Sequence, residues 1–337
     1  MGCAYVFLHI FARMILDVAR HKLIEAIATL VIIALATVIC NIVLPAELVA
    51  NTSSAPLGAL ITEFQRSHSI LAALVGFALL IRLSMTVTRT TVRSHLYDVN
   101  SFGAMSIVPL AIMMLATPHA MLSTIVVATL VAEAMRRLFY AFSSEQRMNA
   151  IFTAMLAMGA LPLVDCSLLV VVLALPLIVL SLRCSFRDLV IAVVGMLLPI
   201  FTYAYVVWCS GGLFGDAVAT LWHGMLEPSP LAMQTYLTLP RIVGMAMLLL
   251  IGLCSVALYI MRGRSQKPAV RHIWLFMISA VLLLGTTFAL LPSTSIPSLV
   301  VVAIIVSTMA PMLFLHLSTL LSVVIYLLLA ALAVVAM

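Results

Sequence analysis

The amino-acid sequence predicts an all-α, polytopic membrane protein with about eleven transmembrane helices, its N-terminus inside and its C-terminus outside. Composition is the first reason: 65% of the 337 residues are hydrophobic and only 8% are charged, for a mean hydropathy of +1.29. The second is length, since the apolar residues fall in runs near the ~20 residues that cross a bilayer's hydrocarbon core. The third is the placing of Lys and Arg, which gather on one side once those runs are marked.

In chain order, residues 1–22 are expected to form an amphipathic helix on the inner surface. Val6, Ile10, Ile15 and Val18 oppose Arg13, Asp17, Arg20 and Lys22, and no basic region precedes the apolar residues as it would in a signal peptide. Residues 23–337 form one transmembrane bundle. Its first spans are Ile24–Leu44, Ser69–Met85, Ala104–Thr117 and Ala120–Met135. Met148–Leu163, Ser167–Leu182, Leu189–Cys209 and Ile242–Met261 follow, then Ile273–Leu291, Ser298–Leu315 and Ser318–Met337. Ala104–Thr117 falls below the ~17 residues a lone crossing helix requires and also reads as a re-entrant arm. Pro109, Pro176, Pro199 and Pro311 lie within spans and should kink them.

With the N-terminus inside, the inner segments hold Arg13, Arg20, Lys22, Arg82, Arg89, Arg93, Arg136, Arg137, Arg147, Arg183, Arg187, Arg262, Arg264, Lys267 and Arg271. The outer segments keep Arg66 and Arg241. Positive residues are retained on the cytoplasmic side during insertion, so this split orients the chain. It also accounts for the pI near 9.2 without nucleic acid, for which no basic groove with interleaved aromatics exists. Six cysteines show no CxxC or zinc-like spacing and read as small apolar residues. Cys40, Cys166 and Cys209 approach the outer face, where one disulfide is open.

Three outer turns share a pattern. Pro118 precedes Ser123, Pro162 precedes Ser167, and Pro292 precedes Ser298. Proline stops the outgoing helix, and the serine is expected to cap the returning one.

Ionisable residues at mid-membrane are functional suspects, and the spans offer few. Glu133 sits at ion-pair spacing from Arg136 and Arg137, and Glu25 lies beside Lys22. The outer face is richer. Glu47 follows the first span, His119 and Asp165 sit at hairpin turns, and the outer loop 210–240 carries Asp216, His223 and Glu227 before Arg241. In that loop Phe214, Val218, Leu221, Trp222 and Met225 recur at helical spacing, which suits an interfacial helix. By elimination, Glu47 and Asp165 are the candidate catalytic carboxylates, with Arg241, His119 and His223 as candidate substrate-binding groups. No metal-ligand spacing is present, and no cofactor is specified.

Arg136-Arg137-Leu138-Phe139 ends one span, Asn149-Ala150-Ile151-Phe152 opens the next, and Arg183 is followed by Phe186-Arg187-Asp188, Gly195 and Pro199. On these residues the stretch from Arg136 to about Gly212 resembles an uncharacterised family of multi-span inner-membrane proteins of Bacteroidota. The family usually places aromatic residues where this chain has Ala160-Leu161-Pro162-Leu163-Val164-Asp165. The resemblance implies a cell inner membrane and carries no activity.

Three functions are compatible with this reading. One is cell-envelope assembly at the outer face on a lipid-linked substrate. A second is a non-catalytic scaffold with a membrane-protein partner, and a third is a carrier or lipid-handling permease. Membrane lipid is a partner in each. The topology is tested by reporter fusions at Gly58, Ser144, Gly211 and Ser265. Alkaline phosphatase is expected to be active at Gly58 and Gly211 only, and activity at Ser144 or Ser265 overturns the orientation.

Overall fold

The computed structural model describes residues 23–43, 55–97, 101–116, 120–143, 147–181, 185–226, 238–262, 267–290 and 295–336. The proposed surface helix over 1–22 lies outside them. Among the described residues the chain is helical throughout. The helices are α1 Leu23–Val43, α2 Pro56–Ser67, α3 Ser69–Arg93, α4 Ala104–Leu115, α5 Met121–Ser143, α6 Arg147–Gly159 and α7 Leu161–Val164. After a 3-10 turn at Cys166–Leu168 come α8 Leu169–Ser181, α9 Phe186–Cys209, α10 Phe214–Leu226 and α11 Leu239–Arg262. The chain closes with α12 Pro268–Leu290, α13 Ile296–Phe314 and α14 Thr319–Ala336.

Each apolar run marked in the sequence falls on a helix. Seven described helices are long and apolar enough to cross a membrane by length and composition. These are α3, the α6–α7 pair, α9, α11, α12, α13 and α14, while parts of α1, α4 and α8 form shorter apolar helices. Helix α5 has 23 residues, but its C-terminal half carries Glu133, Arg136 and Arg137. Arg136 Nε donates to Glu133 Oε2 at 2.8 Å, and Arg137 Nε donates to Glu133 Oε1 at 3.1 Å.

At the centre stand α13 and α4. Every residue of α4 is buried, and within α13 only Val302 is less than fully buried. They pack on each other, with α11, α5 and α12 further around α13, and α1, α3 and α14 around α4. At 1.5 Å per residue α4 is about 18 Å long, well short of a ~30 Å hydrocarbon core. The chain before it makes up the difference. Helix α3 ends in a Schellman cap: His95 takes φ 47°, its N–H donates to the Val92 carbonyl, and Leu96 N–H donates to the Thr91 carbonyl. Leu96 and Tyr97 then turn inward and are buried, as is Ser101. The Tyr97 hydroxyl donates to the Thr308 carbonyl of α13. Polar backbone is tolerated at that depth because protein, rather than lipid, surrounds it.

The sequence ends the second span at Met85, whereas α3 continues to Arg93. Its polar last two turns stay helical, with hydroxyls satisfied along the helix: Thr86 bonds the Arg82 carbonyl, Thr88 that of Ser84, Thr90 that of Thr86 and Ser94 that of Thr90, at 2.6–2.8 Å.

Helices α6 and α9 make the closest pairing. A Cβ on Gly195 would lie 2.8 Å from the Phe152 carbonyl oxygen, and one on Gly159 would collide with the Met196 backbone. At their inner ends Arg147 lies 3.6 Å from the Asp188 carboxylate, which also completes a capping box with Ser185. Gly195→Ala should therefore lower stability in detergent by about 1–3 kcal/mol. Gly285→Ala, where an added Cβ meets nothing within 4 Å, should not. Thermal unfolding of the two variants side by side is the check.

Candidate functional site

One end of the bundle carries a cap of short elements. Ala55 at the start of α2, Leu163 of α7, Cys166 and Leu221 of α10 form one buried apolar cluster, with Ile200 and Tyr203 of α9 packed against it. Gln65 of α2 accepts a hydrogen bond from the Leu122 N–H in the first turn of α5, at 3.2 Å. The cap thus joins α2, α7, α10 and the outer half of α9 over the helix ends.

Asp165 sits in this cap, between α7 and the 3-10 turn. Its Oδ1 accepts from the Ser167 N–H at 3.0 Å, which makes Asp165 the N-cap of the turn. The hydroxyls of Ser167 and Ser295 lie 2.7 Å apart, and both stand close enough to the Asp165 carboxyl to favour its charged form. Ser295 is the N-cap residue of α13. A loop carboxyl, its own turn and the central helix are therefore tied at one point.

Part of the Asp165 surface stays open, yet the surrounding protein removes most of its hydration. That burial pushes the carboxyl above the usual carboxylate range, and the hydrogen bonds from Ser167 and Ser295 offset only part of the rise.

The expected serine caps are replaced. Ser123 and Ser298 lie inside the first turns of their helices and donate back to the Ala120 and Ser295 carbonyls, at 2.9 and 2.5 Å. Capping at the middle hairpin comes from Asp165 instead. The reason is position: each serine falls beyond the N-cap, where its hydroxyl faces the preceding carbonyls rather than free N–H groups.

Arg241 lies in the first turn of α11 and is only 8% exposed, with its helix packed mainly on α13 and α14. A Cβ on Gly252 would lie 3.2 Å from Val306, which fixes the register of these two parallel helices. Eleven residues toward the outer end from that pair stand Arg241 and Ser295. Arg241 and Ser295 thus stand the same number of residues from that contact, on helices that pack together.

His223 is placed differently. Ala217, Leu221 and Met225 form the buried face of α10, and His223 is exposed on the opposite face. There it favours the negative end of the helix dipole, as Asp216 favours the positive end. Trp222 and Val218 also face outward, 49% and 42% exposed. Glu47 and His119 lie outside the described residues. Glu63 and Arg66 are exposed on α2. Cys166 and Cys209 are free thiols. Among the described residues no three His, Cys, Asp or Glu side chains group as metal ligands. Ser167 was marked in the sequence as a helix cap, but its pairing with Ser295, 128 residues away, had no sequence signal.

Comparison with protein-family models, with curated proteins and with solved structures gave no match to this chain. Its chemistry is argued from its own geometry.

Asp165 gives the site a pH signature. Its pKa is higher in the folded state, so between the ordinary carboxyl pKa and the raised one the fold holds a proton that the unfolded chain has released. This contribution to stability is present at acid pH and is lost as pH rises through that window. Detergent-solubilised Asp165→Asn should show a flatter dependence of unfolding temperature on pH than the wild type. Identical profiles would remove the buried-carboxyl assignment.

Proposed function

We propose that the chain is an inner-membrane protein with eleven spans and a cytoplasmic N-terminus, acting at the outer face in envelope assembly on an anionic, lipid-linked substrate. The distribution of Lys and Arg supports the orientation. The exposed aromatic rings of Tyr205, Trp208 and Trp222 gather at the outer end of α9 and on α10, as rings at headgroup depth do. The resemblance over Arg136 to about Gly212 is what suggests the inner membrane.

The observation that carries the activity is the desolvated Asp165 carboxyl beside the paired Ser167 and Ser295 hydroxyls, with the buried Arg241 on a helix that packs against α13. A carboxyl that keeps its proton above the usual carboxylate range can give it to a departing oxygen. A guanidinium has five N–H donors, enough to keep a partner inside the protein and still meet a phosphate or carboxylate. Glu47, from the first outer loop, is the proposed base.

The scaffold reading has its own support. Asp165 caps its own 3-10 turn, whose Ser167 hydroxyl meets Ser295 at the start of α13, which is what a purely structural carboxyl would do. A permease has less, since Glu133, the deepest acid of the described spans, is bound to Arg136 and Arg137.

Asp165→Asn separates enzyme from scaffold, because the amide oxygen can still accept from Ser167 N–H. On the enzyme reading, protein abundance holds while complementation of a deletion strain falls, with a turnover loss of about 100-fold or more. Arg241→Lys should lose part of the activity and Arg241→Gln nearly all of it. Full complementation by Glu47→Gln combined with Asp165→Asn sinks catalysis, and a stoichiometric partner in mild detergent then establishes the scaffold.

A further inference from the structure

Helix α3 carries its charge on one face. Leu80, Leu83, Ser84, Val87 and Thr91 are buried against the bundle. At 100° per residue Arg82, Arg89 and Arg93 fall within an arc of about 40° on the opposite side, and all three are exposed. None of their side chains forms an ion pair among the described residues. Toward the outer end the same arc holds Leu71 and Val75, 50% and 38% exposed. One face of a single helix thus runs from apolar to cationic over its length.

The neighbouring helix adds to the charge at the same depth. An added Cβ on Gly76 would lie 3.6 Å from Ile125 Cδ1, which sets α3 beside α5 so that Arg82 to Arg89 lie level with Val131 to Leu138. There Arg136 and Arg137 share Glu133. Five guanidinium groups face one carboxylate on this pair of helices. Elsewhere on the inner ends the balance differs: Arg147 is matched by Asp188.

We propose that this face of α3 and α5 is a docking site for anionic phospholipid. The headgroup phosphate is held by Arg82 and Arg89, Arg93 contributes from the water side, and the acyl chains lie along Val75 and Leu71. Arg82 and Arg89 are about 10 Å apart along the axis. Arg82 can bend its side chain toward the interface, so that both guanidinium groups reach one phosphate level. The apolar half of the face selects a lipid over an acidic protein segment, because a single molecule with a charged head and apolar tails satisfies both halves. The proposal rests on reading α3 as a membrane-crossing helix, but not on which side its inner end faces.

The test is native mass spectrometry of the full chain released from mixed micelles holding equal phosphatidylglycerol and phosphatidylcholine. Each basic residue near a headgroup contributes about 1 kcal/mol, roughly a fivefold preference. The wild type should retain phosphatidylglycerol over phosphatidylcholine by at least that factor. Arg82→Gln/Arg89→Gln/Arg93→Gln should bring the ratio close to one, and the corresponding triple Lys variant should keep much of the preference. Arg187→Gln, exposed at the start of α9 and off this face, should leave the ratio unchanged. Equal retention by the wild type overturns the proposal, with no dependence on whether a variant assembles. So does a preference that survives the triple Gln change, or one that Arg187→Gln removes just as well. A reversed topology would appear in the reporter fusions and leave these ratios untouched, so the two failures are distinguishable.

Discussion

The bundle depends on the need to satisfy every backbone polar group where no water is present. Helix α13 meets this with its own hydrogen bonds, and its residues carry no charge. It can therefore be enclosed almost completely, and the other helices are arranged by how they enclose it. Helix α4 cannot do the same alone because it is too short. Its missing length is filled by the inward turn through Leu96 and Tyr97, whose hydroxyl bonds the Thr308 carbonyl. Protein around that turn stands in for water, which is why non-helical chain can occupy the inner half of the bundle.

Much of the helical framework was legible in the sequence because long apolar runs leave few alternatives. The Glu133 pairing with Arg136 and Arg137 was legible too, since intrahelical ion pairs follow from spacing alone. The polar end of α3 was harder to read. A hydropathy reading stops at Met85, where the composition turns to Thr and Arg, whereas the backbone stays helical, with hydroxyls satisfied by carbonyls one turn earlier. Tyr97 reaching Thr308 is a contact across 211 positions that no local pattern encodes.

The candidate site shows the same division. Asp165 stands out in sequence as an acid at an apolar hairpin, and Arg241 as an isolated cation on the outer side. That Ser295 comes beside Ser167 and the carboxyl comes only from how the 3-10 turn packs on the start of α13. His223 joins neither, because the face of α10 that touches the cap is set by Ala217, Leu221 and Met225. Three residues found by one rule of elimination thus separate once helix faces are assigned.

The enclosure of α4 bears on how the chain is made. Its twelve residues leave the ribosome nearly two hundred positions before α13, the helix that covers it. Until then α4 has neither the length to settle across the lipid nor the neighbour that hides its ends. The N-terminal third is therefore unfinished in the membrane while the rest is synthesised, with α1 and α3 as its early contacts. Truncation before α13 would leave an exposed half-length helix and an unpaired tyrosine turn, the kind of lesion that membrane quality control recognises. Completion of the centre, rather than emergence of each span, marks the moment at which this protein becomes stable.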